Sequence, residues 1–150
     1  LADVRLQKIG FVFQSFHLVG RLTAAENIAL PMVLASVPED ERRARVADAL
    51  EAVGLAPRAK HRPNQMSGGE CQRVAIARST VMKPRLLLAD EPTGNLDSKT
   101  AEEILVLFDE LHAEGKTLLI VTHEPAVGER ADRILRLKDG AIEAVEVNRR

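Results

Sequence analysis

Four short features combine residue types able to manage a phosphate, a metal ion and an attacking water. The first is Asp90-Glu91, which closes the apolar run Leu86-Leu87-Leu88-Ala89. A carboxylate just past an apolar strand suits Mg²⁺, which in phosphate sites takes one or two carboxylates and keeps several waters. A second carboxylate beside it can polarise a water as general base. The same dipeptide is also an ordinary strand-end turn. The second feature, Ser67-Gly68-Gly69, lies immediately before a helical segment. Its glycines permit close backbone approach, and free N–H groups at a helix start favour an anion. Alone, it reads more readily as an ordinary loop and helix cap. His123 ends an apolar run and can donate to a phosphate oxygen, though a lone histidine more often serves structure. Gln14, at the end of Ile9-Gly10-Phe11-Val12-Phe13, says nothing by itself.

Two other patterns carry no chemistry. Gly115-Lys116-Thr117 mimics the end of a phosphate-binding loop, G-x-x-x-x-G-K-[ST], but the first glycine would fall at Glu110. The triplet also follows a helix and precedes a strand, the reverse of the required order, and reads as a helix stop. His17, His61 and His112 make no ligand-like spacing with His123 or Cys71, which argues against zinc.

The elements that must position these residues can be read from periodicity. Residues 9–13 form a strand. Residues 15–67 change to helical spacing with polar loops. The clearest helix there opens at Pro38-Glu39-Asp40-Glu41, buries Val46, Ala49, Leu50 and Val53, and stops at Gly54. A basic, proline-containing connection, 58–65, leads to a helix over 69–82 with Cys71, Val74, Ala77 and Val81 on one face. Residues 86–89 and 117–122 read as parallel strands buried on both faces. Between them Ser98 is the expected cap of a helix burying Ala101, Ile104, Leu105, Phe108 and Leu111, with Gly115 as its stop. Strand, helix and strand make a right-handed βαβ unit. Ligands gather at the carboxyl ends of such strands, where Asp90, Glu91 and His123 sit, with Gln14 beside them if its strand joins the sheet. Asp139-Gly140 between 133–138 and 141–147 predicts a hairpin.

Composition bounds the rest. The 150 residues are 45% hydrophobic and 29% charged, ordinary for a globular domain and too balanced for a disordered chain. The near-apolar stretch 28–37 is far short of the ~20 residues that span a bilayer, and no signal peptide is legible. With 21 Lys+Arg against 22 Asp+Glu there is no basic excess for nucleic acid, and four Phe without Tyr or Trp make base stacking a poor expectation. A single cysteine excludes an intramolecular disulfide and fits a reducing compartment. The opening Leu1-Ala2-Asp3, without Met, is expected of a piece of something longer.

Taken together, the residues resemble the ATPase cassette of ABC transporters. Met66-Ser67-Gly68-Gly69-Glu70 with Gln72-Arg73-Val74-Ala75-Ile76-Ala77-Arg78 resembles the signature motif and its helix. Leu86-Leu87-Leu88-Ala89-Asp90-Glu91-Pro92-Thr93 resembles the Walker B segment, Gly94-Asn95-Leu96-Asp97 the D-loop, Gln14 the Q-loop glutamine and His123 the switch histidine. The order and spacing of five motifs make the match specific, and it covers essentially the whole chain. The wording Phe16-His17-Leu18, Leu22-Thr23-Ala24-Ala25-Glu26-Asn27 and 89–97 looks most like the lipoprotein-releasing and macrolide-exporter branch.

The resemblance implies an α/β fold: a P-loop NTPase (RecA-like) parallel-sheet core, incomplete in this chain, with an inserted α-helical subdomain and the C-terminal hairpin. Residues 1–14 would be the Q-loop strand of the core, 15–82 the helical subdomain and signature helix, and 83–150 the rest of the core. It implies ATP and Mg²⁺, with Asp90 holding the metal through water, Glu91 as general base, His123 on the γ-phosphate and Gln14 sensing metal and water. Ser67, Gly68, Gly69 and Glu70 would meet nucleotide bound by a second ATPase subunit, and Asp97 would couple the two sites. The helical region would dock a transmembrane permease subunit, at the cytoplasmic face of the inner membrane, with no membrane insertion and no nucleic acid.

Three departures accompany the match. Met66 stands for the usual Leu, a volume-conserving swap. Ser79-Thr80 replace the common Ala-Leu, so looser packing of the signature helix is expected. No phosphate loop occurs in the chain; by resemblance a complete cassette has many tens of residues before Leu1. The chain alone is therefore expected neither to bind ATP tightly nor to hydrolyse it, and strand 117–122 is expected to have an unpaired edge. Other classes are a soluble ABC-type ATPase, whose usual coiled-coil or tandem insertions are not seen, and a non-catalytic interaction module, against which the intact Glu91, His123 and Ser67-Gly68-Gly69 argue.

Overall fold

A computed structural model describes residues 8–148. Three parallel strands, β1 (Ile9–Phe13), β2 (Leu86–Asp90) and β3 (Thr117–Val121), lie side by side in the order β1-β2-β3. Helices α1 (Ala24–Leu34), α2 (Glu39–Ala52) and α3 (Gly68–Thr80) occupy the connection from β1 to β2, and α4 (Ser98–Ala113) crosses from β2 to β3. A short turn, α5 (Pro125–Gly128), leads to the antiparallel pair β4 (Arg133–Lys138) and β5 (Ala141–Val147). The hairpin turns at Asp139-Gly140, both at positive φ, as the sequence requires.

Register explains which sheet face is buried. Gly10 pairs with Leu87, itself paired with Leu118, and Val12 with Ala89, itself paired with Ile120. These rows face the helices, and Val12, Leu87 and Ala89 join Val74, Ile76, Ile104 and Phe108 in one core. The alternate rows point away: Phe11 is 40% exposed, Leu119 50% and Val121 58%. Among the described residues β2 and β3 are thus covered on one face, where the apolar runs predicted two. Successive strand residues alternate faces, and the described helices pack on one of them. As expected, β3 pairs with β2 alone among the described residues.

Local chemistry sets the helix limits. Helix α1 starts in a capping box, with Thr23 and Glu26 exchanging hydrogen bonds. It contains Pro31, which conceals it from a periodicity reading because proline removes an internal hydrogen bond. Helix α2 ends at Gly54 and α4 at Gly115, both in the left-handed conformation (φ 69° and 89°). The cap of α4 is Asp97, not Ser98: its Oδ1 accepts from Thr100 N and its Oδ2 from Thr100 Oγ1, leaving Ser98 as the first helical residue. The end of α3 is also tighter than expected. Ser79 and Thr80 turn their hydroxyls back onto Ile76 and Ala77 carbonyls, and a Cβ on Gly10 would lie 2.4 Å from Ser79 O. Because Gly10 has no side chain, the last turn of α3 rests directly on β1.

Candidate functional site

The register that aligns Phe13, Asp90 and Val121 across the three strands brings the residues just beyond them to one sheet end. Gln14 leaves β1, Glu91 leaves β2, and Thr122-His123 leave β3. The chain turns sharply after Asp90. Glu91 takes φ 44°, a conformation disfavoured for a residue with a Cβ, and its N–H donates to Val121 O at 2.9 Å.

Glu91 is the most heavily bonded group there. Its Oε1 accepts from the His123 N–H at 3.1 Å and lies 2.7 Å from His123 Nδ1, while Oε2 accepts from Thr122 Oγ1 at 3.2 Å. The hydrogen bond with His123, aided by its charge and by Thr122, lowers the Glu91 pKa below the ordinary carboxylate value. The same bond and the Glu91 charge raise His123 above the ordinary imidazole value. Both shifts run in the direction that favours a carboxylate paired with an imidazolium. A carboxylate so held is ionised but weakly basic, and it gains proton-accepting strength when His123 is drawn elsewhere.

Asp90 is exposed and makes no hydrogen bond or ion pair among the described residues. Gln14 donates Nε2 to Asn95 Oδ1 at 3.2 Å, and Asn95 Nδ2 returns a bond to Gln14 O at 3.1 Å. Gly94 makes this possible, since a Cβ there would sit 2.6 Å from Gln14 Nε2. The Gln14 Oε1 accepts nothing within the described chain. Two hard oxygen donors, Asp90 and Gln14 Oε1, thus remain free at one strand end, a donor set that fits Mg²⁺ shared with phosphates. No cluster of three or more His, Cys, Asp or Glu able to hold a metal occurs among the described residues, so a closed, all-protein metal cage is absent from them.

The Ser67 segment forms a second locus. Ser67 caps α3, accepting from Glu70 N at 3.2 Å while its own N–H donates to Glu70 Oε2 at 2.8 Å. Glu70 Oε1 takes Arg58 Nε at 2.9 Å, and these bonds, the Ser67 N–H foremost, lower its pKa. Both Glu70 oxygens therefore serve the loop itself. Asp97 is likewise occupied with Thr100, whose bonds lower its pKa. Gly69 is buried where a Cβ would meet Thr100 Cγ2 at 2.3 Å, so α3 and α4 start side by side. Ser67 and Gly68 stay exposed, and no hydrogen bond joins them to Glu91, His123 or Gln14 among the described residues. The structure brings Gln14, Asp90, Glu91 and His123 to one sheet end, and it places Ser67-Gly68-Gly69 at the start of α3, with Gly68 facing Phe16 and Leu96 and Gly69 facing Thr100.

Sequence reasoning missed the supporting groups. Thr122 orients Glu91, Asn95 holds Gln14, and Gln72, fully buried, donates to Pro92 O behind Glu91. Adjacency to His123 and to Gly94 was a signal for the first two; Gln72 had none.

Comparison with known proteins decides the family. Residues 2–94 match the ABC transporter family. The chain is 58% identical, over 97% of its length, to an uncharacterised ABC transporter ATP-binding protein of Thermotoga maritima, covering 62% of that protein. The chain belongs to the ABC transporter family. Within it, a macrolide export ATP-binding/permease protein of Paracoccus denitrificans is 49% identical over 96% of the chain, which covers 22% of that larger protein. A solved ATP-binding cassette, in a dimeric post-hydrolysis state bound to ADP and Pi, superposes with a TM-score of 0.86 at 45% identity, over 99% of this chain and 66% of that one. The α/β fold is that of an ABC cassette. The chain spans about three fifths of the length of the curated ATP-binding relatives it matches.

Proposed function

We propose that this ABC family chain works in an ATP-hydrolysing subunit that powers a membrane transporter. The observation that carries the reading is the contact of Glu91 with His123 beside the free Asp90 carboxylate, at the ends of adjacent parallel strands. In this reading Asp90 and Gln14 Oε1 would hold Mg²⁺, directly or through water, and the ion would supply charge neutralisation at the phosphates. His123 donates to the γ-phosphate, and leaving Glu91 for that oxygen frees a carboxylate to take a proton from the attacking water. Thr122 keeps that carboxylate aimed meanwhile. Little covalent work is asked of the protein; positioning and charge do the rest.

Ser67 and Gly68, exposed and without a hydrogen bond to Glu91 among the described residues, suit with Gly69 a nucleotide held by a second copy, with Glu70 and Asp97 shaping the two helix starts that meet it. A permease subunit is the proposed partner of the helical block 15–82. Between α1 and α2 runs an open groove lined by Leu22, Ala25, Ala29, Leu30 and Val46, and Val33 and Leu34 stand exposed beside it. The relatives named for export carry ATP-binding and permease functions in one protein. No described helix is long and apolar enough to cross a membrane, and the place proposed is the cytoplasmic face, against the permease.

The test is ATP hydrolysis by the full-length protein, alone and reconstituted with any multi-span membrane protein found to be coded beside it. Mg²⁺-dependent turnover that changes on reconstitution is expected. Turnover indifferent to any membrane partner would favour a soluble ATPase, and none at all in either form would refute the enzymatic reading.

A further inference from the structure

Arg78, near the end of α3, reaches the loop that follows Gln14. Its Nη1 donates to His17 O at 2.7 Å and its Nη2 to Phe16 O at 2.9 Å. Those two carbonyls belong to residues with φ 47° and 60°. Left-handed backbone at neighbouring non-glycine residues is disfavoured by the Cβ atoms and persists only where surroundings hold it. The loop's own bonds are short-range: Phe16 N–H to Phe13 O, and His17 N–H to Ser15 O. The long-range hold on its carbonyls comes from Arg78.

Arg78 is also a costly residue to place there. It is half-buried, burial lowers its pKa, and it has no acidic partner among the described residues. A guanidinium withdrawn from water without a carboxylate gains little stability, yet its rigid fork matches two adjacent carbonyls as an ammonium cannot. The base of the fork is fixed too, because Ser79 rests on Gly10 of the strand that delivers Gln14.

We propose that Arg78 is a positioning residue for Gln14: by pinning the Phe16 and His17 carbonyls, it fixes the path on which the chain leaves β1 and so sets Gln14 against Asn95. Its catalytic consequence rests on the ATPase reading above. In the full-length protein, Arg78→Met should lower kcat roughly tenfold, as expected for loss of a charge-assisted pair of bonds, with KM for ATP unchanged. Arg78→Lys, keeping the charge but not the fork, should fall between. In a Gln14→Ala background the Arg78→Met change should add almost nothing, since the two act through one group. Site-resolved amide exchange should quicken at Phe16 and His17 and stay unchanged in α1 and α4. Arg136→Met, on the hairpin and bonded to Glu146, is the control and should leave both readouts alone. Additive losses in the double variant, unchanged exchange at residues 16–17, or an equal loss in Arg136→Met would overturn the proposal. Should wild type prove inactive, the ATPase reading falls, while the exchange measurement still decides whether Arg78 holds the loop.

Discussion

Replacing Glu91 by glutamine isolates the charge of one carboxylate with little change of shape. The variant amide can still accept from Thr122 Oγ1 or from the His123 N–H, so the turn at φ 44° should survive. What disappears is the proton-accepting oxygen and its negative charge beside His123 Nδ1, 2.7 Å away. General-base catalysis is worth roughly 10²–10⁴-fold, so hydrolysis should fall by that factor, about 3–5 kcal/mol of barrier at roughly 1.36 kcal/mol per decade. Nucleotide affinity should stay near wild type, because in the proposed reading Glu91 acts on the attacking water and not on the phosphates. The paired imidazole supplies a second readout. Glu91 is the main cause of the raised His123 pKa, and in the variant that pKa should drop back toward the ordinary imidazole value. Histidine NMR titration of wild type and variant measures it directly, alongside steady-state hydrolysis and nucleotide titration. The sign for stability comes from the two directions. The His123 contribution is full below its unfolded pKa and lost as pH rises through its raised folded value; the Glu91 contribution is present above its unfolded pKa and lost as pH falls through its lowered folded value. The pair thus stabilises the wild type between those limits, and the variant should lack that pH dependence. Wild-type turnover in Glu91→Gln, or an unmoved His123 pKa, would refute the reasoning.

Ser67→Arg should weaken ATP-driven dimerisation, read by sedimentation, far more than nucleotide binding by the monomer; equal losses would count against a role toward a second copy. Gly10→Ala places a Cβ 2.4 Å from both Ser79 O and Leu87 Cδ2, an overpacking that should destabilise by about 1–3 kcal/mol, seen as a lower urea midpoint at constant m. Asn27→Ala removes a fully buried amide that accepts from Val19 N–H and donates to Val19, Leu22 and Thr23 carbonyls; orphaning those groups should cost about 1–3 kcal/mol, measured the same way, and a loss under half that would show water replacing the amide.

Much of this protein was written locally and could be read without coordinates. Strands 9–13 and 86–89, the Gly54 and Gly115 stops and the Asp139-Gly140 turn depend on neighbouring residues only, because an apolar run, a left-handed glycine and a type of turn are properties of a few consecutive positions. The same holds for Asp90, Glu91 and His123, each legible as a polar residue closing an apolar strand. Other features required distant segments to meet. That β3 and β2 bury one face rather than two depends on where α3 and α4 lie, since identical apolar runs serve either case. Asp97 displaces Ser98 as cap by geometry that two adjacent cap-forming residues leave open. Thr122 on Glu91, Asn95 on Gln14, Gln72 on Pro92 and Arg78 on the 16–17 carbonyls join residues 20 to 81 positions apart. A hydrogen bond needs donor and acceptor within about 3 Å, and no spacing in the chain encodes that proximity. The sequence therefore determined which polar groups close the strands, and the pairing of β1, β2 and β3 with the packing of α3 on β1 decided how they are held.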